Sequence, residues 1–507
     1  MKNILLKTIF IASFFPSQIF AQSIPDKLLK KPNSPIVAVS GFLNFAVAGR
    51  NQDKDYEKDR LINSAAGSVG TGNRYAESMA FDNNSQIYVK VGAISNSGVK
   101  YGAVVEFEGN ASTDSALDQL RSDKGFIYSE TKLGKFEFGN NHASNQKMKV
   151  GPSVFARASG GINGKYLQHI NLPMLAHSTN LPAGASSLCS GTVGDSACAN
   201  IKLPRFILVA QSPIAHGGYA KGFYNRNSDN NYQRDGNGNT DFNRGSARQA
   251  SNALLGYNNG SFNQMESATK ISYYAPRING WQVGFSFTPN NQENGIATIS
   301  GSDSGAIQDI ASWGLNYVDN FGNIGFALSA TGEEGNAKIH ANDVNSQVAR
   351  NGLSSYDLGA MFTYFGFTIG ASYGYWGDSL QPKSGIYSCN YDESQTLANQ
   401  NCNSKVNKFN AAQYYTGGIA YELGPIAASI THIASEFQNN KYQASSFGID
   451  YKLRHGIMPY FEITQFQFNS NQPKTSDIAN QSVVSNNDRQ LKDNKGYVAL
   501  AGVLFAF

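Results

Sequence analysis

Beyond Phe15 no stretch approaches the ~20 consecutive apolar residues that a membrane helix needs, so a helical membrane protein is excluded. Charge is scarce as well: Asp, Glu, Lys and Arg make up 15% of the chain, below the ~25% usual in soluble domains. The formal net charge is only +4, and such a near-neutral balance gives no argument for nucleic acid as a partner. Cysteines number four, at 189, 198, 389 and 402, and no pair of them has Cys-x-x-Cys spacing. Neither a metal centre nor a cofactor is therefore expected. Seven histidines are present, among them His142, His169, His177 and His216. None falls in a recognisable Ser/His/Asp arrangement or His-Glu-x-x-His spacing, and no enzyme activity is expected.

What is abundant points elsewhere. Aromatics reach 12% and glycines number 51, while mean hydropathy is −0.35. Many aromatics under a negative mean hydropathy fit strands that alternate between an oily and a watery face. The N-terminus adds a compartment. Lys2 and Lys7 flank a charged start, an apolar run follows from Thr8 to Phe15, and Ile19-Phe20-Ala21 ends on a small residue. This is the layout of a secretory signal, with cleavage expected after Ala21. Residues 22–35 then read as a lead-in and 36–507 as one body.

In that body apolar residues recur at every second position. Ile87, Val89, Val91 and Ala93 alternate with Tyr88, Lys90 and Gly92; after a turn at Ser95–Gly98, Val99, Tyr101, Ala103, Val105 and Phe107 alternate with Lys100, Gly102, Val104, Glu106 and Glu108. Similar hairpins are expected around Pro276–Gly280, Asp319–Gly322, Phe365–Gly366, Leu423–Pro425 and Arg454–Gly456. Another turns at Leu133–Gly134, where the first strand is ambiguous because Glu130 shares a register with Phe126 and Tyr128. Seven hairpins, an opening strand near Val37–Val47 and a closing strand Tyr497–Phe507 add up to about 16 antiparallel strands, an even number as single-chain bacterial barrels have.

Connections alternate in length. The turns just named are short, whereas the segments between hairpins are long and polar: about 50–84, 109–124, 141–266, 289–310, 333–354, 377–412, 433–444 and 469–494. Short turns on one side and long loops on the other mark an outer-membrane barrel. One register carries aromatics near both strand ends and no charge, as a lipid-facing surface between two interfacial girdles requires. The opposite register carries Lys90, Lys100, Glu106, Glu108, Glu137, Lys270, Asp357, Glu422, Asp450, Lys452 and Glu462. Unpaired charges cannot be buried in apolar surroundings, so these are expected to line a water-filled pore. Small hydrophilic solutes are its expected passengers.

These features resemble the Gram-negative general porins, particularly their alphaproteobacterial branch. Ala268–Pro289 (ATKISYYAPRINGWQVGFSFTP) looks like the family hairpin in which a Tyr-x-x-Pro turn precedes Gly and an aromatic. Val99–Glu108 looks like the third strand, and Gly125–Asn140 like the hairpin that enters the constriction loop. The closing alternation that ends in Phe505 and Phe507 resembles the assembly signal. The resemblance implies an all-β transmembrane barrel in the bacterial outer membrane, a homotrimer in which each barrel is its own channel. It implies a third external loop, 141–266, folded into or over the lumen. Lipopolysaccharide, outer-membrane lipid and the barrel assembly machinery are the partners it implies. The chain also departs from the family. Its third loop is far longer and lacks the acidic Gly-rich motif, and lumen arginine positions read Asn140 and Ser272. Eyelet selectivity does not carry over.

Between 141 and 266 stand eleven basic residues: Lys147, Lys149, Arg157, Lys165, Lys202, Arg205, Lys221, Arg226, Arg234, Arg244 and Arg248. Against them stand five acids, Asp195, Asp229, Asp235, Asp241 and Glu266, so the loop carries +6. A loop so charged is expected to narrow the pore and bias it weakly toward anions, unless wall carboxylates such as Glu106, Glu108 and Glu137 pair with it. Two other readings stay open. One is a substrate-specific channel, with Arg205–Ala210 either an extra strand towards 18 or a plug, the plug being favoured by a single apolar run without an obvious partner; a run of lumen aromatics would argue for such a channel, and no clear one is seen. The other is an adhesin whose Asn-, Ser- and Gly-rich loops are the function.

In an exported chain the four cysteines favour two local bridges by proximity, Cys189–Cys198 and Cys389–Cys402, out of three possible pairings. Loops this short contribute up to ~3 kcal/mol each in the chain-entropy model. Mass spectrometry of non-reduced peptides is expected to find these two links. Free thiols or crossed links would show that proximity is not the deciding factor.

Overall fold

Period-two alternation becomes a closed wall of sixteen antiparallel strands in the computed structural model. The structure describes residues 34–53, 58–60, 73–75, 78–109, 121–152, 155, 161–163, 166, 169–170, 207–209, 219–221, 268–290, 307–337, 351–379, 387–390, 401–405, 411–437, 440–453, 456–469 and 494–507. The barrel strands are β1 (Ile36–Gln52), β2 (Met79–Ile94), β3 (Lys100–Gly109), β4 (Arg121–Thr131), β5 (Gly134–Asn140), β6 (Thr269–Tyr274), β7 (Trp281–Asn290) and β8 (Ile307–Phe321). They continue as β9 (Ile324–Ala337), β10 (Leu353–Tyr364), β11 (Phe367–Gly377), β12 (Ala412–Leu423), β13 (Ile426–Phe437), β14 (Asn440–Tyr451), β15 (Ile457–Asn469) and β16 (Asn494–Ala506). Each pairs with its neighbour in sequence, and β1 pairs with both β2 and β16.

Local chemistry sets the tight turns. Asn279–Gly280 and Phe365–Gly366 both place two successive residues at positive φ (48° and 84°, 44° and 84°). That is the twist a two-residue hairpin needs. Glycine takes this conformation freely; Asn279 and Phe365 are the non-glycines that accept it in these two turns.

Closure follows from the solvent. In lipid an unpaired backbone group has no water to bond and costs several kcal/mol, so an open sheet edge is not viable. The seam is complete to its last residue: Phe507 N–H donates to the Gly41 carbonyl at 3.0 Å, and Gly41 N–H to the Phe507 carbonyl at 2.9 Å.

Outward positions are apolar and exposed, among them Leu43, Phe45, Ile127, Phe285, Leu358, Ile369, Ile430, Ile463 and Val503. Aromatic pairs tie neighbouring strands near both rims. Phe136–Tyr273 (4.8 Å between centroids), Trp281–Tyr317 (5.0 Å) and Phe367–Tyr421 (4.3 Å) lie by the short turns. Tyr356–Tyr375 (5.1 Å) and Tyr373–Tyr415 (4.9 Å) lie towards the long connections. Each ring pair adds about 0.5–1.5 kcal/mol beyond its buried area.

One expectation changes and two open points are settled. The segment 433–444 is not a long loop, since β13 and β14 keep pairing up to Phe437 opposite Asn440. Polar side chains there mark strand ends beyond the oily band, not a break in pairing. The ambiguous β4 turns Phe126 and Tyr128 inward, both buried, with Ile127 outward; Glu130 therefore belongs to the watery register. Ile207–Val209, inside the run Arg205–Ala210, pairs with Tyr219–Lys221 in a separate two-stranded sheet and adds no strand to the barrel. Residues 1–33, with the signal expected at 1–21, lie outside the described residues.

Deletion of Phe507 removes both seam hydrogen bonds with Gly41 and is expected to impair assembly while leaving export intact. Normal yield of folded, heat-modifiable protein in outer-membrane fractions would refute the role of Phe507.

Candidate functional site

Inside the barrel the chain after β5 turns back into the lumen, and the wall has made room for it. A short helix α1 (Ser144–Met148) lies against β7 and β8, where Gly284 and Gly314 leave no side chain in its way. A Cβ at Gly284 would stand 2.6 Å from Met148 Sδ, and one at Gly314 2.9 Å from Met148 Cβ. The path continues over Gly359, which meets the Val150 carbonyl, Gly370, which meets Phe155 and Pro152, and Gly418, which meets Pro152. These inward glycines form a track from β7 round to β12, and a side chain at any of them would push the loop off the wall.

Wall polar groups hold the loop on this track. Ser144 N–H donates to Ser286 Oγ at 2.8 Å, Val150 N–H to Ser329 Oγ at 2.9 Å, and Asn316 Nδ2 to the Met148 carbonyl at 3.3 Å. Three wall carboxylates do the same with charge. Glu137 receives Lys147 and Asn141 from the loop, and Lys135 from its own strand at 2.9 Å. Asp357 pairs with Lys149 at 3.2 Å and accepts from the Tyr414 hydroxyl, which in turn accepts from Lys149. Glu462 accepts the Gly161 N–H at 3.1 Å. Arg50 closes the circuit, donating to the His169 carbonyl at 2.9 Å. Desolvation lowers the Lys147 ammonium, with Glu137 opposing, and lowers that of Lys149, with Asp357 opposing.

The far end of the loop rests on an apolar patch of the inner wall. Ile162, Tyr166 and Ile170 are buried together with Ala46, Ile433, Tyr442, Met458, Tyr460, Phe466, Phe468 and Leu500. Tyr166 and Tyr442 share a hydrogen bond at 2.7 Å, and burial pushes the Tyr166 hydroxyl well above its ordinary range.

Of the residues expected to line the pore, Lys90, Glu106, Glu137, Lys270, Asp357, Asp450 and Glu462 are buried on the inner wall. Lys100 and Glu422 are half-buried, and Lys452 is exposed just past the end of β14. Glu108 lies on β3, but its side chain is outside the described residues. Glu106 pairs with Lys124 at 2.9 Å, Lys100 with Glu130 at 3.0 Å, and Lys270 donates to the Asn141 and Ala268 carbonyls. The loop residues Arg157, Arg205, Arg226, Arg234, Arg244 and Arg248 lie outside the described residues, as do Cys189 and Cys198. Cys389 and Cys402 fall on two short strands, Tyr387–Asn390 and Asn401–Lys405, that pair antiparallel.

Sequence reasoning saw no run of lumen aromatics, yet the inner wall carries Tyr88, Phe126, Tyr128, Tyr274, Trp376, Tyr414, Tyr442, Tyr460, Phe466 and Phe468, all buried. The signal was available: Phe466 and Phe468 share a register with Glu462, and Tyr414 stands in the register opposite Tyr415.

A family model described as Gram-negative porin matches residues 221–471. Among curated proteins, uncharacterised proteins of Rickettsia felis and Rickettsia typhi are 30% and 31% identical over 263 and 260 residues, 43% and 42% of this chain. The chain spans about half the length of these relatives, 55% and 54%. Among solved structures, the anion-selective porin from Comamonas acidovorans aligns over 94% of this chain and 100% of its own at 12% identity, with a TM-score of 0.46. A mutant of the Rh. blastica porin aligns over 93% of this chain and 100% of its own at 11% identity, with a TM-score of 0.44. The family match, over just under half of the chain, and the closed antiparallel barrel both fit a porin-like fold.

Replacing a loop anchor is expected to unseat the loop. Asp357→Asn leaves Lys149 against an uncharged amide and weakens the seat by about 1–3 kcal/mol. Tryptic cleavage after Lys149 in folded protein should accelerate roughly tenfold, whereas Glu130→Gln, at a more exposed pair, should change it less than about twofold. Equal rates in both variants and the parent would show that Asp357 is no anchor.

Proposed function

We propose that this chain is an outer-membrane porin through which ions and small hydrophilic solutes diffuse passively along a water-filled lumen. The observation that carries this reading is the pairing of two surfaces on one closed sheet. The outer is apolar and girdled by aromatics, and the inner is lined by Lys, Glu, Asp, Ser and Thr and crossed by a loop anchored to Glu137, Asp357 and Glu462. Charged side chains on an inner wall require water there, and a barrel of this strand number leaves an aqueous passage.

The finer parts of the reading follow from it. Residues 1–21 act as a cleaved export signal, 22–35 lead in, and 36–507 make the barrel, which works as a homotrimer. Lipopolysaccharide and outer-membrane lipid surround it after the barrel assembly machinery has inserted it. Cys389 and Cys402 form a bridge that staples one external segment, consistent with the facing of their two strands. The remaining loop charge, concentrated in Arg157, Arg205, Arg226, Arg234, Arg244 and Arg248, biases permeation toward anions. Ten inward aromatics bear on the second reading, a channel with a preferred solute class, but all are buried and four of them lie in the cluster with Ile162, Tyr166 and Ile170, so the diffusion reading is the one supported.

Purified protein in planar bilayers is expected to give stable ohmic channels in triplet steps, with reversal potentials in a salt gradient on the anion side. Removing residues 157–248 should raise conductance and shift selectivity toward neutral. Silence across several preparations would defeat the channel reading. Cation preference would defeat the charge argument, and unchanged conductance after the deletion would show that the segment lies outside the pore.

A further inference from the structure

The oily belt on the outer wall is not of even height. Counted from the short turns, β10 and β11 each turn five successive outward positions to lipid as apolar residues, from Tyr364 to Tyr356 and from Phe367 to Tyr375. On β13 the succession stops after three, at Ile430, and on β14 after three, at Phe447, which stands opposite it. One outward step is two residues, ~6.8 Å along a strand and ~5 Å of height at the usual tilt. Over this arc the belt is therefore lower by ~10 Å, a large part of an apolar band that is ~25 Å tall.

Above the shortened belt the strands keep pairing and turn polar side chains outwards. His432 and Ser445 share a hydrogen bond at 2.8 Å. Gln443 Nε2 donates to Gln467 Oε1 at 2.9 Å, and Gln467 Nε2 to Asn469 Oδ1 at 3.1 Å. Gln465 stands in the register between Ser445 and Tyr497. Two ammonium groups flank this ladder: Lys441, opposite Asn469, and Lys495, opposite Gln467. The acids at its edge are Glu436, opposite Lys441, and Asp53, whose carboxylate accepts the Lys495 backbone N–H at 3.0 Å.

Amides and hydroxyls find no further partners in hydrocarbon. The acyl chains must end below this row, and a polar layer must reach down to it. A glycerophospholipid headgroup offers such a row one phosphate and little else. A phosphorylated sugar offers ring hydroxyls and amides that match uncharged donors and acceptors, and phosphates that match two ammonium groups.

We propose that the outward face of β13, β14 and β15 seats the phosphorylated sugar headgroup of one lipopolysaccharide molecule. Gln443, Gln465 and Gln467 bond its hydroxyls and amides, and Lys441 and Lys495 take its phosphates. Its acyl chains lie on Ile430, Phe447 and Ile463 below. This deepens the outer-membrane reading and rests on it, because that reading turns the long connections towards the outer leaflet.

Native mass spectrometry of the full-length protein in detergent decides it, with titration by phosphatidylglycerol or by a lipopolysaccharide cut back to its inner sugars. The lipopolysaccharide is expected to half-saturate at least about tenfold below phosphatidylglycerol. Gln443→Leu with Gln467→Leu lengthens the belt without opening the wall. That pair should raise the half-saturating lipopolysaccharide concentration about tenfold, as loss of two neutral hydrogen bonds does. Lys441→Gln with Lys495→Gln should raise it about tenfold or more, and stands in if the leucine pair fails to assemble. Lys132→Gln, at a short turn on the other rim, should leave it unchanged. Equal affinity for the two lipids would overturn the proposal. So would lipopolysaccharide binding that is unaltered in the leucine pair or, should that pair not assemble, in the lysine pair. A leucine pair that changes the oligomer mass and leaves lipid affinity untouched would also overturn it, making this face a protein contact. Absence of the parent protein from outer-membrane fractions would instead defeat the reading beneath it.

Discussion

Everything in this molecule depends on one constraint: a backbone in hydrocarbon must find all its hydrogen-bond partners within itself. A sheet meets that condition only when its first and last strands pair. The seam between β1 and β16, running from Phe42–Ala506 to Gln52–Gly496, is what lets the other strands sit in lipid at all. Once the sheet is closed, the two registers of every strand are sorted into outside and inside, and a one-residue slip anywhere would put Lys90 or Asp357 into lipid. The alternation in sequence is therefore both the cause of the strands and the guard on their register.

Closure creates a second problem, how to fill or narrow an interior that side chains alone do not close. The solution here is backbone laid against backbone. Gly284, Gly314, Gly359, Gly370 and Gly418 let the inward loop approach the wall more closely than any side chain would permit. Seryl hydroxyls and three carboxylates then fix it. The carboxylates of the inner wall thus serve first as anchors. Glu137 and Asp357 neutralise Lys147 and Lys149, two of the loop's eleven cations. The loop's remaining positive charge therefore resides in its other side chains.

The inner wall is also uneven. One arc, from β2 to β6, carries lysines laid over aromatic rings, such as Lys135 over Tyr128 at 5.2 Å and Lys147 over Phe126 at 5.3 Å. Cation–π contacts of this kind offset part of the desolvation of a confined ammonium. The adjoining arc, from β13 to β16 and β1, carries an apolar patch covered by Ile162, Tyr166 and Ile170. The distal part of the described loop thus rests on oil and its proximal part on charge.

By itself the sequence determined that there are about sixteen strands, their antiparallel direction and the facing of most of them. Period-two alternation in stretches such as Tyr356–Tyr364 and Phe367–Tyr375 allows one sheet geometry, and turns such as Asn279–Gly280 allow one connection. It also marked which residues face water, because a charge in the lipid register is prohibitive. Where alternation carried mixed chemistry, as with Phe126, Tyr128 and Glu130 or Phe466 and Glu462, facing was decided by which neighbours each strand packed against. Partnership belonged to tertiary structure entirely. Lys149 meets Asp357 and Tyr414, Tyr166 meets Tyr442, and Gly161 meets Glu462, across sequence separations that no local pattern spans. Those contacts exist only because closing the barrel brings distant strands round one lumen, and only then does a glycine track acquire a meaning.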